Sequence, residues 1–295
     1  MTLYSNSRAD LIKYILRVPL RHYEGGVVDS GTTATLVDDE LERPDDYYQN
    51  TTPVSRVKII TTTDGAAPKG EQRRISDFAL STGTITVSSD KLFSVAPGAG
   101  DTYVILNQYD WDEIADAINL VIESLGEKGM IYKIDETLET QDDTYEYSLP
   151  PGFITIHRVA QANSDGNFTD PIPPDQYTVF KGNPAKLKLL TMPVSEQHID
   201  HYYGELWASS SLVADRRLRI EGYERQQKLT TDDSVCYLNP SYIVWKTAAM
   251  VLSSRIIAND NDAYRVRRDE CAKEAEAYLK ELVITQLPPN TKKIY

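Results

Sequence analysis

The residue patterns predict an α+β chain: a helical body of about four helices, an inserted small antiparallel β-barrel or sandwich, and a second β-rich insertion. Three observations carry this. Residues 110–126 hold an apolar stripe at helical spacing. Two longer stretches consist instead of short runs rich in threonine, valine and isoleucine, divided by turn residues. Helical texture then returns after the second stretch and continues almost to the end of the chain.

The first helix is predicted over residues 7–18, SRADLIKYILRV. Ser7 is placed to cap it with Asp10 three residues on, and Leu11, Ile12, Ile15 and Leu16 share one face. Pro19 breaks its continuation, because an interior proline loses a hydrogen bond and clashes with the preceding turn. Residues 1–24 are assigned to the helical body.

Residues 25–107 read as the small β-domain. Its runs TTATLV, SRVKIITTT, RRISDFAL, GTITVSSD and GDTYVIL recur at roughly ten-residue spacing with turn chemistry between them. Ile85 and Val87 alternate with Thr84, Thr86 and Ser88, so one face is buried and the other wet. Residues 108–130 return to helix: Asp110 caps it, Gly126 stops it, and Trp111, Ile114, Ala115, Ile118, Val121, Ile122 and Leu125 line one side.

The second β-rich region spans 131–235, with YEYSLP, FITIHRVAQ, QYTVFKG, AKLKLLT, EQHIDHYYG and RRLRIEGY as its strands. Pro150, Pro151 and Gly152, the pair Asp165 and Gly166, and Pro171 to Pro174 supply its breaks. Residues 236–284 form a helical pair, 239–258 and 261–284, hinged near Asn259 to Asp262. On the first of these, Tyr242, Trp245, Ala249 and Leu252 make a stripe read as core. The tail, 285–295, is extended.

Length and charge narrow the function classes. At 295 residues the chain exceeds the usual size of one hydrophobic core, so two domains or one core with a large insertion is expected. No run approaches eighteen apolar residues and the N-terminus is broken by Arg8, Asp10, Lys13 and Arg17, so neither a membrane span nor a signal peptide is expected. A soluble protein used in the cytosol, or in a particle assembled there, is the expectation. Cys236 and Cys271 lack metal-ligand spacing.

The net charge of −13 is uneven: residues 1–210 carry 17 basic and 32 acidic groups, residues 211–295 carry 14 and 12. Such a surface repels a phosphate backbone over most of its extent, which disfavours tight, sequence-independent nucleic-acid binding.

Motifs for chemistry are scarce. Asp38, Asp39, Glu40, Glu42, Asp45 and Asp46 crowd one short segment, as a hard-cation site would. The calcium-loop order is absent and Arg43 and Pro44 interrupt the run, which favours a solvated acidic turn. His198 and His201 are three apart in a segment read as strand, where they point to opposite faces and do not share a metal. Phosphate-cradling loops and the nucleophile elbow do not occur. No catalytic, cofactor or metal residue is assigned and the chain is not read as an enzyme. The 19 tyrosines against 5 phenylalanines suit subunit interfaces or partly wet cores, and a tyrosine-rich β surface also suits sugars.

Four passages together resemble the neck, or head-to-tail adaptor (connector), proteins of tailed bacteriophages. The first, SGTTATLVDDELERPDDYY continued by KGEQRRISDFALSTGTITVSSDKLFSVAPGAGDTYVI, is similar to a β-module of phage virion proteins. The others are WDEIADAINLVIES, YEYSLPPGFITIHRV, and RRLRIEGYERQQKLTTDDSV leading into YLNPSYIVWKTAAMVLSSRI.

The resemblance implies a structural virion protein, assembled in the host cytoplasm and located in the neck or tail region. It implies a homo-oligomeric ring, dodecameric in such adaptors, between portal and tail proteins and around genomic DNA that passes without sequence-specific binding. An acidic wall would then avoid trapping the genome. It also implies a tail that reaches the portal, here Lys292, Lys293, Ile294 and Tyr295, after a long helix and a proline break. Two other readings stay open: a tail-fibre or host-surface binding module built on the aromatic β-inserts, and a virion-associated hydrolase for which Asp142 and Asp143 are the starting point.

Overall fold

The computed structural model describes residues 4–51, 53–169, 171–190, 212–259, 262–282 and 292–294. The chain is mixed α+β, with antiparallel sheets, and divides into two compact units: Met1–Ser124 with Lys228–Leu282, and Leu125–Gln227 with Val283–Tyr295.

In the first unit, β1 (Asn6–Ser7) leads into α1 (Arg8–Arg17) and pairs with β14 (Val235–Cys236). Ser7 and Asp10 cap the helix reciprocally: the Asp10 amide donates to Ser7 Oγ at 3.1 Å and Ser7 Oγ to Asp10 Oδ2 at 2.7 Å. Leu11, Ile12, Ile15 and Leu16 are all buried, as their spacing predicts.

The sheet that follows contains β2 (Ser30–Gly31), β3 (Thr35–Val37), β4 (Arg56–Thr61), β5 (Gln72–Ala79), β6 (Thr84–Val87) and β7 (Thr102–Leu106), in the order β2-β3-β6-β5-β4-β7. It is a curled half-barrel. Segment 24–31 runs between its two edges: Glu24 and Val27 bridge to Ile105 and Thr102 on β7, and β2 pairs with β3. Ile85 and Val87 point into its core with Leu36, Phe78 and Tyr103.

Gly83 closes the turn before β6 at φ +58°; a Cβ there would lie 2.0 Å from the Asp38 carbonyl oxygen, so both the conformation and the space demand glycine.

Helix α2 (Trp111–Leu125) starts where Asp110 Oδ1 accepts the Asp112 amide at 2.9 Å, and its predicted stripe is buried throughout. Helices α3 (Pro240–Asn259) and α4 (Asp262–Leu282) pack on each other, and α1 packs on α3. Asn239 caps α3, with Pro240 in the first helical position, where its missing N–H costs nothing. Helix α3 is buried nearly all round; Tyr242, Ala249 and Leu252 of the predicted stripe are fully buried and Trp245 half-buried.

The second unit holds β8 (Met130–Glu139), β9 (Glu146–Ser148), β10 (Phe153–Gln161), β11 (Tyr177–Phe180), β12 (Lys186–Leu189), β13 (Arg217–Arg225) and β15 (Lys292–Lys293). They form two antiparallel sheets, β15-β10-β13-β8 and β11-β12-β9, over one apolar core that includes Ile156, Val159, Tyr177, Leu187, Leu218 and Ile220. At Gly222 the β10 and β13 backbones approach so closely that a Cβ would sit 2.1 Å from the Thr155 carbonyl oxygen.

The expected strand EQHIDHYYG lies outside the described residues. Strand β8 is not marked by the sequence pattern: beyond Ile131 its residues are half-buried or exposed, so it carries little apolar alternation.

Candidate functional site

The acidic segment after β3 is a set of turn caps. Asp38 is buried, its Oδ2 accepting from Tyr103 Oη at 2.7 Å and its Oδ1 from the Glu40 amide at 3.0 Å. Asp45 Oδ1 takes the Leu80 amide at 2.7 Å, and Asp46 Oδ1 the Gln49 side chain. Asp29, Asp38 and Asp39 bring one oxygen each within 4.8 Å of one another. Yet Asp29 Oδ2 already receives the Asp39 amide at 2.9 Å, so these oxygens hold backbone together. Glu24 joins side chains instead, accepting from Tyr48 Oη at 2.6 Å and Arg43 Nε at 2.7 Å. Burial raises Tyr48 and Tyr103 far above the ordinary tyrosine range, with the neighbouring carboxylates adding to it.

The most connected charge of the first unit is one the sequence reading did not single out. Asp232, just before β14, accepts from Arg8 Nη2 at 2.8 Å and Trp111 Nε1 at 3.0 Å, and lies 3.3 Å from Lys58 Nζ. Lys58 in turn stands 5.0 Å over the Trp111 ring. Burial pushes the Asp232 carboxyl up, but the Trp111 and Arg8 hydrogen bonds and the Lys58 and Arg8 charges together carry it below the ordinary carboxylate range. Helix α1, strand β4, helix α2 and the loop before β14 are thereby tied at one point. No spacing rule could have exposed this, since the partners are separated by 50 residues or more in sequence.

A cavity of about 450 Å³ in the same unit is lined by His22, Thr51, Pro53, Asn107, Gln108, Arg255 and Tyr264. Gln108 bonds Tyr264, and Arg255 pairs with Glu113.

In the second unit, Glu221 of β13 is buried and accepts from Arg158 Nη1 and Tyr132 Oη at 2.8 and 2.7 Å, with His157 Nε2 at 3.8 Å. The rings of Tyr132, His157 and Tyr223 are mutual neighbours at 5.6–5.8 Å. Burial lowers the His157 pKa from its ordinary value.

Of the residues the resemblance assigns to the portal, Lys292 and Lys293 form β15, pairing with Ile156 and Thr155 at the edge of β10. The Ile294 amide donates to the Ile154 carbonyl at 2.7 Å and its side chain packs on the unit's core. Tyr295 lies outside the described residues, as do His198 and His201. Asp142 and Asp143 are exposed turn residues, Asp143 at φ +54°. Cys236 and Cys271 are buried, unbridged thiols that burial pushes up to about 11. No helix among the described residues is long and apolar enough to cross a membrane.

The chain matches the family model of the SU10 adaptor protein over residues 91–291, well over half of the sequence. The chain belongs to the SU10 adaptor protein family. Among curated proteins, none matches it. The matched span begins after β6, takes in α2, the strands from β7 to β14 and both C-terminal helices, and stops just before β15. Three of the four passages that resemble phage adaptors fall inside it; most of the β-module does not. Membership makes this SU10 adaptor-family chain a phage adaptor-type protein, structural in role and virion-associated.

Proposed function

We propose that the protein is a head-to-tail adaptor of a tailed phage, forming a ring, dodecameric as in the adaptors it resembles, between portal and tail. The observation that carries this reading is the family match along α2, the second unit and the α3–α4 pair. The net charge of −13 supports a place around the DNA channel, since an acidic wall lets the genome pass without holding it. Lys292, Lys293, Ile294 and Tyr295 are the proposed portal contact; a segment that already pairs through its main chain is suited to strand addition on a partner. Assembly in the host cytoplasm, contact with tail or neck proteins and the absence of enzymatic work belong to the same reading.

The test is native mass spectrometry with negative-stain imaging of the purified chain, alone and with its cognate portal. A closed ring of about a dozen copies, alone or on the portal, supports the reading. A stable trimer, or a monomer in both samples, overturns it in favour of a host-surface binding module. Deleting residues 285–295 is expected to abolish docking onto the portal; unchanged docking removes the tail from the proposed contact.

A further inference from the structure

Two helix faces of the first unit carry opposite charge at the same spacing with no ion-pair partner among the described residues, Arg17 having only the Tyr23 ring 4.6 Å beneath it. On α1, Lys13 and Arg17 stand one turn apart, flanked by Tyr14 and Val18, which are 50% and 46% exposed. On α2, Asp112 and Asp116 stand one turn apart, followed one turn later by Leu120, 53% exposed. Among the described residues none of these four charges has an ion-pair partner, although most other charged side chains of the two helices do. Helix-end electrostatics account for Arg17 in the last turn and Asp112 in the first. They do not account for Lys13 or Asp116, because that effect fades within one turn.

Each face therefore presents two like charges about 6 Å apart beside exposed apolar surface, and the two faces are complementary in sign and pitch. A rim of charge around an apolar contact is the composition of a protein interface, and complementary charge sets its register.

We propose that the α1 face of one copy docks on the α2 face of the next, with Lys13 and Arg17 opposite Asp112 and Asp116 and with Tyr14 and Val18 against Leu120. The partner is a second copy of this chain, because the faces complement each other and neither complements itself. A contact between unlike faces is head-to-tail, and it closes into a ring when its rotation allows. The inference rests on the ring reading above and assigns its interface.

Charge reversal tests it. Lys13→Glu with Arg17→Glu, and separately Asp112→Lys with Asp116→Lys, are made in the full chain and studied by native mass spectrometry with portal present. Arg17, Asp112 and Asp116 are exposed and Lys13 is half-buried, so circular dichroism is expected to match the wild type, with the thermal midpoint lowered only by the lost helix-end electrostatics of Arg17 and Asp112. Each variant alone is expected to lose rings, or to need on the order of tenfold more protein to form them. Mixed in equal amounts, the two variants restore opposite charges at every junction and are expected to form rings of even copy number with alternating composition.

Rings from either variant at wild-type concentrations, or a mixture that stays unassembled while the wild type forms rings, overturn the interface and leave the ring reading standing. A wild-type chain that makes no ring overturns the functional reading itself.

Discussion

Each unit sets one carboxylate among cations and aromatic rings, and the two are used differently. Asp232 joins groups at positions 8, 58 and 111, which arrive from two helices and a strand. Glu221 joins Tyr132 and Arg158, which stand on the strands either side of its own. The first contact therefore fixes how separate elements pack, whereas the second braces a sheet whose register its backbone ladder already sets. Exposure sharpens the contrast. Lys58 and Arg8 are 8% and 14% exposed at their side chains, while Arg158 is 33% exposed and has water to fall back on.

The largest expected effect is therefore at Asp232. Asp232→Ala would strand the buried Lys58 cation and the Trp111 N–H and leave Arg8 with its bond to the Leu229 carbonyl alone, and a loss of about 3 kcal/mol is expected in chemical denaturation. A loss below about 1 kcal/mol would break the comparison, showing that water reaches Lys58 and Arg8 when the carboxylate goes. The same residue gives a pH signature. Its carboxyl is lowered in the folded chain, so its contribution is complete above the ordinary carboxylate range and is lost as pH falls through the lowered value. Between pH 5 and 2 the wild type is expected to lose stability more steeply than Asp232→Asn. Parallel acid limbs would mean that other carboxylates dominate.

Glu221→Gln should cost less, about 1–2 kcal/mol, because the amide keeps an acceptor for Tyr132 and Arg158 is partly solvated. His157 adds a second, opposite handle within this cluster. Burial favours its neutral form, so protonation opposes folding, and the second unit weakens as pH drops below the ordinary histidine range. Arg158 opposes that protonation while Glu221 favours it, and the Tyr132 and Tyr223 rings complete its surroundings. In Glu221→Gln the favourable neighbour is gone, and the loss of stability between pH 7 and 5, followed by amide exchange in β10 and β13, is expected to steepen.

What was legible in the sequence divides along the same line. Local patterns sufficed for the starts of two helices: Ser7 and Asp10 mark that of α1 and Asp110 that of α2. The alternation in GTITVSS gave β6 and its buried face. Strand β8 escaped as an element because charged residues occupy both its faces, and β1 with β14 because a two-residue pairing leaves no period to detect. The acidic run at 38–46 reads as a solvated turn in the sequence, whereas Asp38 is buried against Tyr103, a partner 65 positions away. Asp232 escaped for the same reason: adjacent aspartates in a loop look solvated until the fold brings Arg8, Lys58 and Trp111 around one of them.

The smallest expected effect concerns the end of the chain, and it shows how far the second unit depends on β15. That strand adds two residues to β10 and one further amide bond from Ile294, so it can open without disturbing β13 or β8. Ile294→Asp places a charge against the apolar core at a site that is already partly exposed. The expected outcome is faster hydrogen exchange at the Ile294 amide and along the β10 edge, with a global stability change of about 1 kcal/mol or less and no change in the first unit.

If exchange instead accelerates through β13 and β8 together, the C-terminal strand is an integral part of that sheet. Moving it to a portal would then cost the unit its fold, and the portal contact would have to form with β15 in place. If exchange stays confined to β10, the segment can leave its own sheet at small cost, which is what a tail that pairs with a partner requires.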